Sequence, residues 1–113
     1  MRVAVIGSRE FTRYFYLRKV LNVIKSDIRL IISGGAKGAD SLAKRYADEN
    51  GINRLILKAN WKKYGKRAGM IRNEVVVCKA DLVIAFWDGI SPGTKGALEF
   101  AKEHHKETYI VYI

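Results

Sequence analysis

The chain has 113 residues, 49% of them hydrophobic and 28% charged, a balance that supports a folded core and excludes a disordered chain. A single cysteine, Cys78, excludes an internal disulfide framework and a multi-cysteine metal site. The formal net charge of +10 fits either a well-solvated basic surface or attraction to polyanions such as nucleotides, nucleic acid or acidic lipid.

In chain order, Arg2–Ile6 is a β-branched run closed by Gly7 and reads as a buried strand. Gly7-Ser8-Arg9-Glu10 forms a turn. Between Thr12 and Ser26 apolar residues recur at Tyr14, Leu17, Leu21 and Ile24, offsets that mark one face of a helix. Arg29–Ser33 is a second buried strand. It runs into Ser33-Gly34-Gly35-Ala36-Lys37-Gly38-Ala39-Asp40, with three glycines within five positions. A helix follows, with Ala39, Leu42, Ala43, Tyr46 and Ala47 on one face and the cap pair Asn50-Gly51 at its end. Arg54–Leu57 is a third strand.

Lys58–Arg67 has no clear period and reads as the longest loop. Ile71, Val75 and Cys78 mark the face of a third helix ending near Ala80, with Cys78 as a small core residue. Leu82–Trp87 is a fourth, apolar strand and Asp88–Gly93 a turn. A helix follows, with Ala97, Leu98, Ala101 and His105 on its face, Ser91 or Thr94 as cap and Pro92 in the first turn. Thr108–Ile113 is the last strand.

Apolar strands alternating with helices predict an α/β fold: a Rossmann-like three-layer sandwich with a five-stranded parallel sheet in the order 3-2-1-4-5. The length fits one domain, residues 1–113. No apolar run approaches the ~18 residues of a membrane span, and the apolar stretch near Met1 is too short for a signal peptide. The expected location is the cytoplasm, with no membrane partner.

In such a sheet the turns after strands one, two and four share one edge, and the chain reverses between strands one and four, where ligands bind. Gly7, Ser8 and Arg9 lie on one side of that crevice, Asp88, Gly93 and Thr94 on the other, and Ser33, Gly34, Gly35, Gly38 and Asp40 flank the first. Helix N-termini offer unpaired N–H groups, and Arg9, Lys37 and Lys95 add positive charge. The combination suits a phosphate, although each turn alone reads equally as a structural turn. The spacing is neither the Walker type nor Gly-x-Gly-x-x-Gly after strand one.

Gly7-Ser8-Arg9, Ser33–Asp40, Trp61–Gly69, Arg72-Asn73, Ala85–Gly89 and Gly93-Thr94 together resemble the YspA-type branch of the SLOG superfamily, across nearly the whole chain. That superfamily includes the DprA/Smf DNA-processing proteins and the LOG-type nucleotide phosphoribohydrolases. The resemblance implies a Rossmann-like fold, a nucleotide or nucleotide-derived ligand at the three turns, and self-association to a homo-oligomer. It does not imply catalysis. The LOG enzymes carry Pro-Gly-Gly-x-Gly-Thr-x-x-Glu, whereas here Ala97 stands three residues after Thr94, and Glu99 is rotated about 200° away on a helix. Arg72 resembles the arginine that holds substrate in those enzymes.

Several residues keep two readings. Asp40 contacts a ligand hydroxyl or complements a helix dipole. Arg72 and Asn73 contact ligand or form a solvated face. Trp61 and Tyr64, among Lys58, Lys62, Lys63, Lys66 and Arg67, stack a base or strand, or Trp61 pins the loop to the core. Trp87 walls the core or the ligand. Asp88 near an anion site suits a sugar, an amine or a metal-bound ligand. His104 and His105 lack metal-ligand spacing. The leading expectation is a module binding a nucleotide or another phosphate-bearing small molecule, with no required cofactor, no metal and no assigned catalytic residue. The alternatives are a phosphoribohydrolase-like enzyme, with Asp40, Asp88 or Glu99 as its carboxylate, and a nucleic-acid-binding protein.

Overall fold

A computed structural model describes residues Met1–Ile113. Strands β1 (Arg2–Gly7), β2 (Leu30–Ser33), β3 (Asn53–Ile56), β4 (Leu82–Trp87) and β5 (Glu107–Tyr112) form one sheet in the order β3-β2-β1-β4-β5. Every neighbouring pair is parallel. The predicted sheet is therefore observed, order included. Helices α1 (Tyr14–Asn22) and α2 (Ala39–Glu49) cover one face, and α4 (Ala68–Lys79) and α5 (Pro92–Glu103) the other.

The central strand shows why the layers form. Val3 and Val5 point into the core under α1 and α2, Ala4 and Ile6 into the core under α4 and α5. Each fully buried side chain of this kind contributes roughly 1.5–3 kcal/mol. Ala39, Ala43 and Ala47 on α2, and Ala97 and Ala101 on α5, are fully or almost fully buried. Their small size lets both helices sit close to the sheet. At Gly7 an added Cβ would lie 2.8 Å from Ala39 Cβ and 2.4 Å from the Phe86 carbonyl oxygen.

Three local readings are corrected. The first helix stops at Asn22 rather than Ser26, because the N–H groups of Val23 and Ile24 bond three residues back and tighten the chain into a 3-10 turn at Lys25–Asp27. The stretch after β3 is not all loop: Trp61–Tyr64 is a helical turn (α3) capped by the Asn60 side chain at 3.1 Å, followed by a 3-10 turn at Gly65–Arg67. On α4 the buried residues are Ala68, Val76 and Val77, while Val75 and Cys78 are exposed. Val75-Val76-Val77-Cys78 is a continuous apolar run, so helical spacing fits more than one face. The pairing of α4 with the sheet and with the small face of α5 selects Val76 and Val77.

Candidate functional site

Because α1 and α2 lie on one face and α4 and α5 on the other, the chain diverges beyond the ends of β1 and β4. There it leaves an open cavity of about 480 Å³, within the usual range for small-molecule sites. Gly7, Ser8, Arg9, Gly34, Asp40, Arg72, Asn73, Asp88, Gly93 and Thr94 all line it. Ser33, Gly35, Gly38 and Trp87 do not. Gly35 belongs to an adjoining hollow of about 610 Å³, which shares Arg9, Glu10, Gly34, Ala36 and Arg72 with the first.

In the glycine loop after β2, Gly38 serves close packing against the turn after β1. Gly38 takes φ 73°, ψ −128°, and its α-carbon abuts the Ser8–Arg9 backbone, where an added Cβ would lie 2.2 Å from the Ser8 carbonyl oxygen. That oxygen accepts from the N–H of Ala39 at 3.2 Å and of Phe11 at 3.3 Å. The first turn of α2 is thus capped by the turn after β1. The turn after β1 opens no helix at the crevice either, since α1 begins only at Tyr14. Ser8 is buried, its N–H donates to the Phe86 carbonyl at 3.0 Å, and its hydroxyl accepts from the Glu10 N–H at 3.3 Å.

Asp40 and Arg72 hold the loop from both sides. The Asp40 carboxylate accepts from the Ala36 N–H at 3.1 Å. Arg72 Nη1 donates to the carbonyls of Gly34 at 2.6 Å and Leu57 at 3.4 Å, and Nε donates to Asn73 Oδ1 at 2.8 Å. Gly34 passes between the two charges: a Cβ there would lie 2.8 Å from Asp40 Oδ2 and 2.7 Å from Arg72 Nη1. Burial pushes the Asp40 carboxyl above its usual range, opposed by the Ala36 N–H and the Arg72 charge. Burial likewise lowers Arg72, opposed by Asp40, but a guanidinium stays cationic. Its Nη2 donors have no protein acceptor. Ser33 lies below the loop, fully buried, its hydroxyl donating to the Asp40 carbonyl at 3.4 Å.

The opposite wall is the start of α5. Asp88 fixes the turn that leads into α5: its carboxylate accepts from the N–H groups of Ile90 at 2.9 Å and Ser91 at 2.7 Å, and from the Ser91 hydroxyl at 2.7 Å, while Ser91 holds the N-cap position without a side-chain bond to the helix. These bonds, the Ser91 N–H first, hold its carboxyl below the usual range. The N–H groups of Gly93 and Thr94 have no protein acceptor, as expected at a helix start. Thr94 is buried, and Asn73 Nδ2 reaches the Gly93 carbonyl at 3.5 Å. Trp87 turns away, donating to the Ser91 carbonyl at 3.2 Å and packing beside Tyr112.

A family model described as "YspA, cpYpsA-related SLOG family" matches residues 1–64, a span that includes β1, the glycine loop and Asp40. The chain belongs to this SLOG family. It is similar to the Gene 61 protein of Mycobacterium phage D29, with 38% identity over 80 residues, 66% of this chain and 64% of that protein. The fold is similar to DNA processing protein A (DprA) from Streptococcus pneumoniae, with TM-score 0.81, 22% identity and coverage of 96% of this chain and 49% of that one. It is also similar to DprA from Helicobacter pylori, whose structure was described for its single-stranded DNA binding mode, with TM-score 0.76, 20% identity and coverage of 97% and 64%. The chain therefore spans about half to two thirds of these relatives.

In this SLOG chain the carboxylates lining the cavity are Glu10, Asp40 and Asp88. Sequence reasoning missed Glu10, although it sits beside the flagged Gly7-Ser8-Arg9. Glu99 is exposed on α5 and is not part of the lining, whereas Ala97 is. His104 lies at the far end of α5, 3.2 Å from Glu74. Trp61 is 53% exposed rather than pinned in the core, and it lines the second hollow with Lys37 and Lys58. No helix is long and apolar enough to cross a membrane.

Proposed function

We propose that the cavity between β1 and β4 binds a nucleotide or nucleotide-derived small molecule through its phosphate, as a sensor or as an accessory domain in nucleotide processing. The observation that carries this reading is the pairing of two kinds of anion donor on one cavity. Gly93 and Thr94 offer unpaired N–H groups at the positive end of α5, while Arg72 offers a fixed guanidinium with Nη2 free. Arg9, with no protein partner, adds a second cation at the rim. Of the three carboxylates on the lining, Asp40 is engaged with Ala36 and Asp88 with its own turn, and Glu10 sits beside Arg9 in sequence. A phosphate at the start of α5 therefore meets the Gly93 and Thr94 donors and Arg72, and Glu10 is the one lining carboxylate without a partner.

The chemistry of the lining favours binding over hydrolysis, because no lining carboxylate is both free and placed on α5 where the resembling enzymes carry theirs. Calorimetric titration with nucleoside monophosphates, nucleosides and inorganic phosphate tests the reading. Monophosphates are expected to bind and nucleosides to bind at least tenfold more weakly, with Arg72→Ala abolishing the difference. Equal binding of nucleoside and nucleotide, or none of either, overturns it.

A second reading, single-stranded nucleic acid, is favoured by the basic segment beside the second hollow, Lys58, Lys62, Lys63, Lys66 and Arg67, all exposed, and by the described binding mode of the Helicobacter pylori protein. Its signature is an affinity that falls steeply with salt in a band-shift series. A salt-insensitive or absent shift removes it.

A further inference from the structure

The second hollow is built with some care. Trp61 is exposed, yet its indole is not loose: it lies over α4 at Gly69, where an added Cβ would come within 3.3 Å of the ring. Lys58 lies across Gly35, where an added Cβ would meet its Cγ at 3.2 Å and Ile56 Cγ2 at 3.1 Å. Two glycines thus leave room for an aromatic plate and a cation with a rested stem. Lys37 stands on the same hollow. Between this hollow and the cavity at α5 sit Arg9 and Arg72, which line both.

The order of chemistry along the groove is therefore neutral N–H donors, two arginines, then an aromatic face flanked by lysines. We propose that Trp61, Lys58 and Lys37 form a second nucleotide subsite, so that the full ligand is two nucleotide units joined by a phosphate. Its terminal phosphate lies at Gly93–Thr94 facing Arg72, its linking phosphate at Arg9, and its second base on Trp61. This rests on the reading of the first cavity given above. An aromatic held against a neighbouring helix loses little freedom on binding, and every base offers it a face. Free dinucleotides and the end of a single strand share this chemistry.

Adenylate, 5′-phosphorylated diadenylate and a single-stranded oligonucleotide, titrated into the full chain by calorimetry, test the proposal. Wild type is expected to bind the diadenylate about tenfold more tightly than adenylate. Trp61→Ala should remove that advantage while leaving adenylate affinity unchanged, and Trp61→Phe should keep most of it. Gly69→Ala, whose Cβ presses on the ring at 3.3 Å, should weaken the diadenylate alone; circular dichroism checks that each variant is folded. An oligonucleotide that binds no tighter than the diadenylate assigns the site to a free dinucleotide. One that binds far more tightly, with loss on Trp61→Ala, assigns it to a strand. If adenylate binds and the diadenylate binds no better, or if Trp61→Ala weakens both equally, the second subsite is refuted and the first reading survives. If adenylate does not bind, both fall.

Discussion

Replacing Gly38 by alanine separates a glycine that shapes the site from one that merely ends a helix. At φ 73°, ψ −128° an L-residue lies outside its allowed regions, a strain of about 1–3 kcal/mol. The added Cβ would also sit 2.2 Å from the Ser8 carbonyl oxygen and 2.6 Å from the Arg9 carbonyl carbon. These are backbone atoms that cannot rotate aside, so the Ser8–Arg9 turn must move. Overpacking of this kind costs about 1–3 kcal/mol, and loss of the 3.2 Å bond from Ala39 to Ser8 adds about 1 kcal/mol. The expected total is about 5 kcal/mol, a large share of a typical domain's stability.

Gly51 is the control. It also has positive φ, 63°, but nothing lies within 4 Å of an added Cβ, so Gly51→Ala should cost only about 1 kcal/mol. Urea unfolding followed by circular dichroism measures both. Similar losses for the two variants would refute the claim that the loop after β2 is clamped on the turn after β1.

Two pH dependences follow from the carboxylates. Burial raises Asp40 above its ordinary value of 3.8, so the folded state holds that proton to higher pH than the unfolded chain. Its contribution is fully present below the ordinary value and is lost as pH rises through the raised one. Stability against pH should therefore descend across that window in the wild type relative to Asp40→Asn, and parallel curves would contradict the burial argument. Asp81 behaves oppositely: hydrogen bonds from the Arg2 side chain and its backbone N–H hold it at about 2. Its contribution is present above 3.8 and disappears as pH falls toward about 2. A carboxyl carbon titration by NMR should place its midpoint there, and an unshifted midpoint would show that the clasp does not form in solution.

The layers and strand order were legible because the strands are short apolar runs separated by helical periods, and handedness leaves few ways to connect them. The crevice was legible for the same reason. Less legible was how each turn is used. Gly34, Gly35 and Gly38 signal close approach, but sequence does not say what approaches, and at Gly38 the answer is the protein's own Ser8–Arg9 backbone. Asp88 lies before Ser91 in a turn whose bonds depend on exact dihedrals, so its role in fixing that turn is hidden in the letters. The α4 face was misread because four apolar residues in a row carry no phase. Trp61 was ambiguous because an aromatic among lysines has the same pattern whether it faces core or groove.

The proposed binding rests on a phosphate at the start of α5 facing Arg72. Amide chemical-shift mapping by NMR with adenylate tests it residue by residue. Saturable shifts are expected at Gly93, Thr94 and Arg9, lost in Arg72→Ala. Shifts confined to Ser33–Gly38, or no saturable shifts at α5, would contradict it.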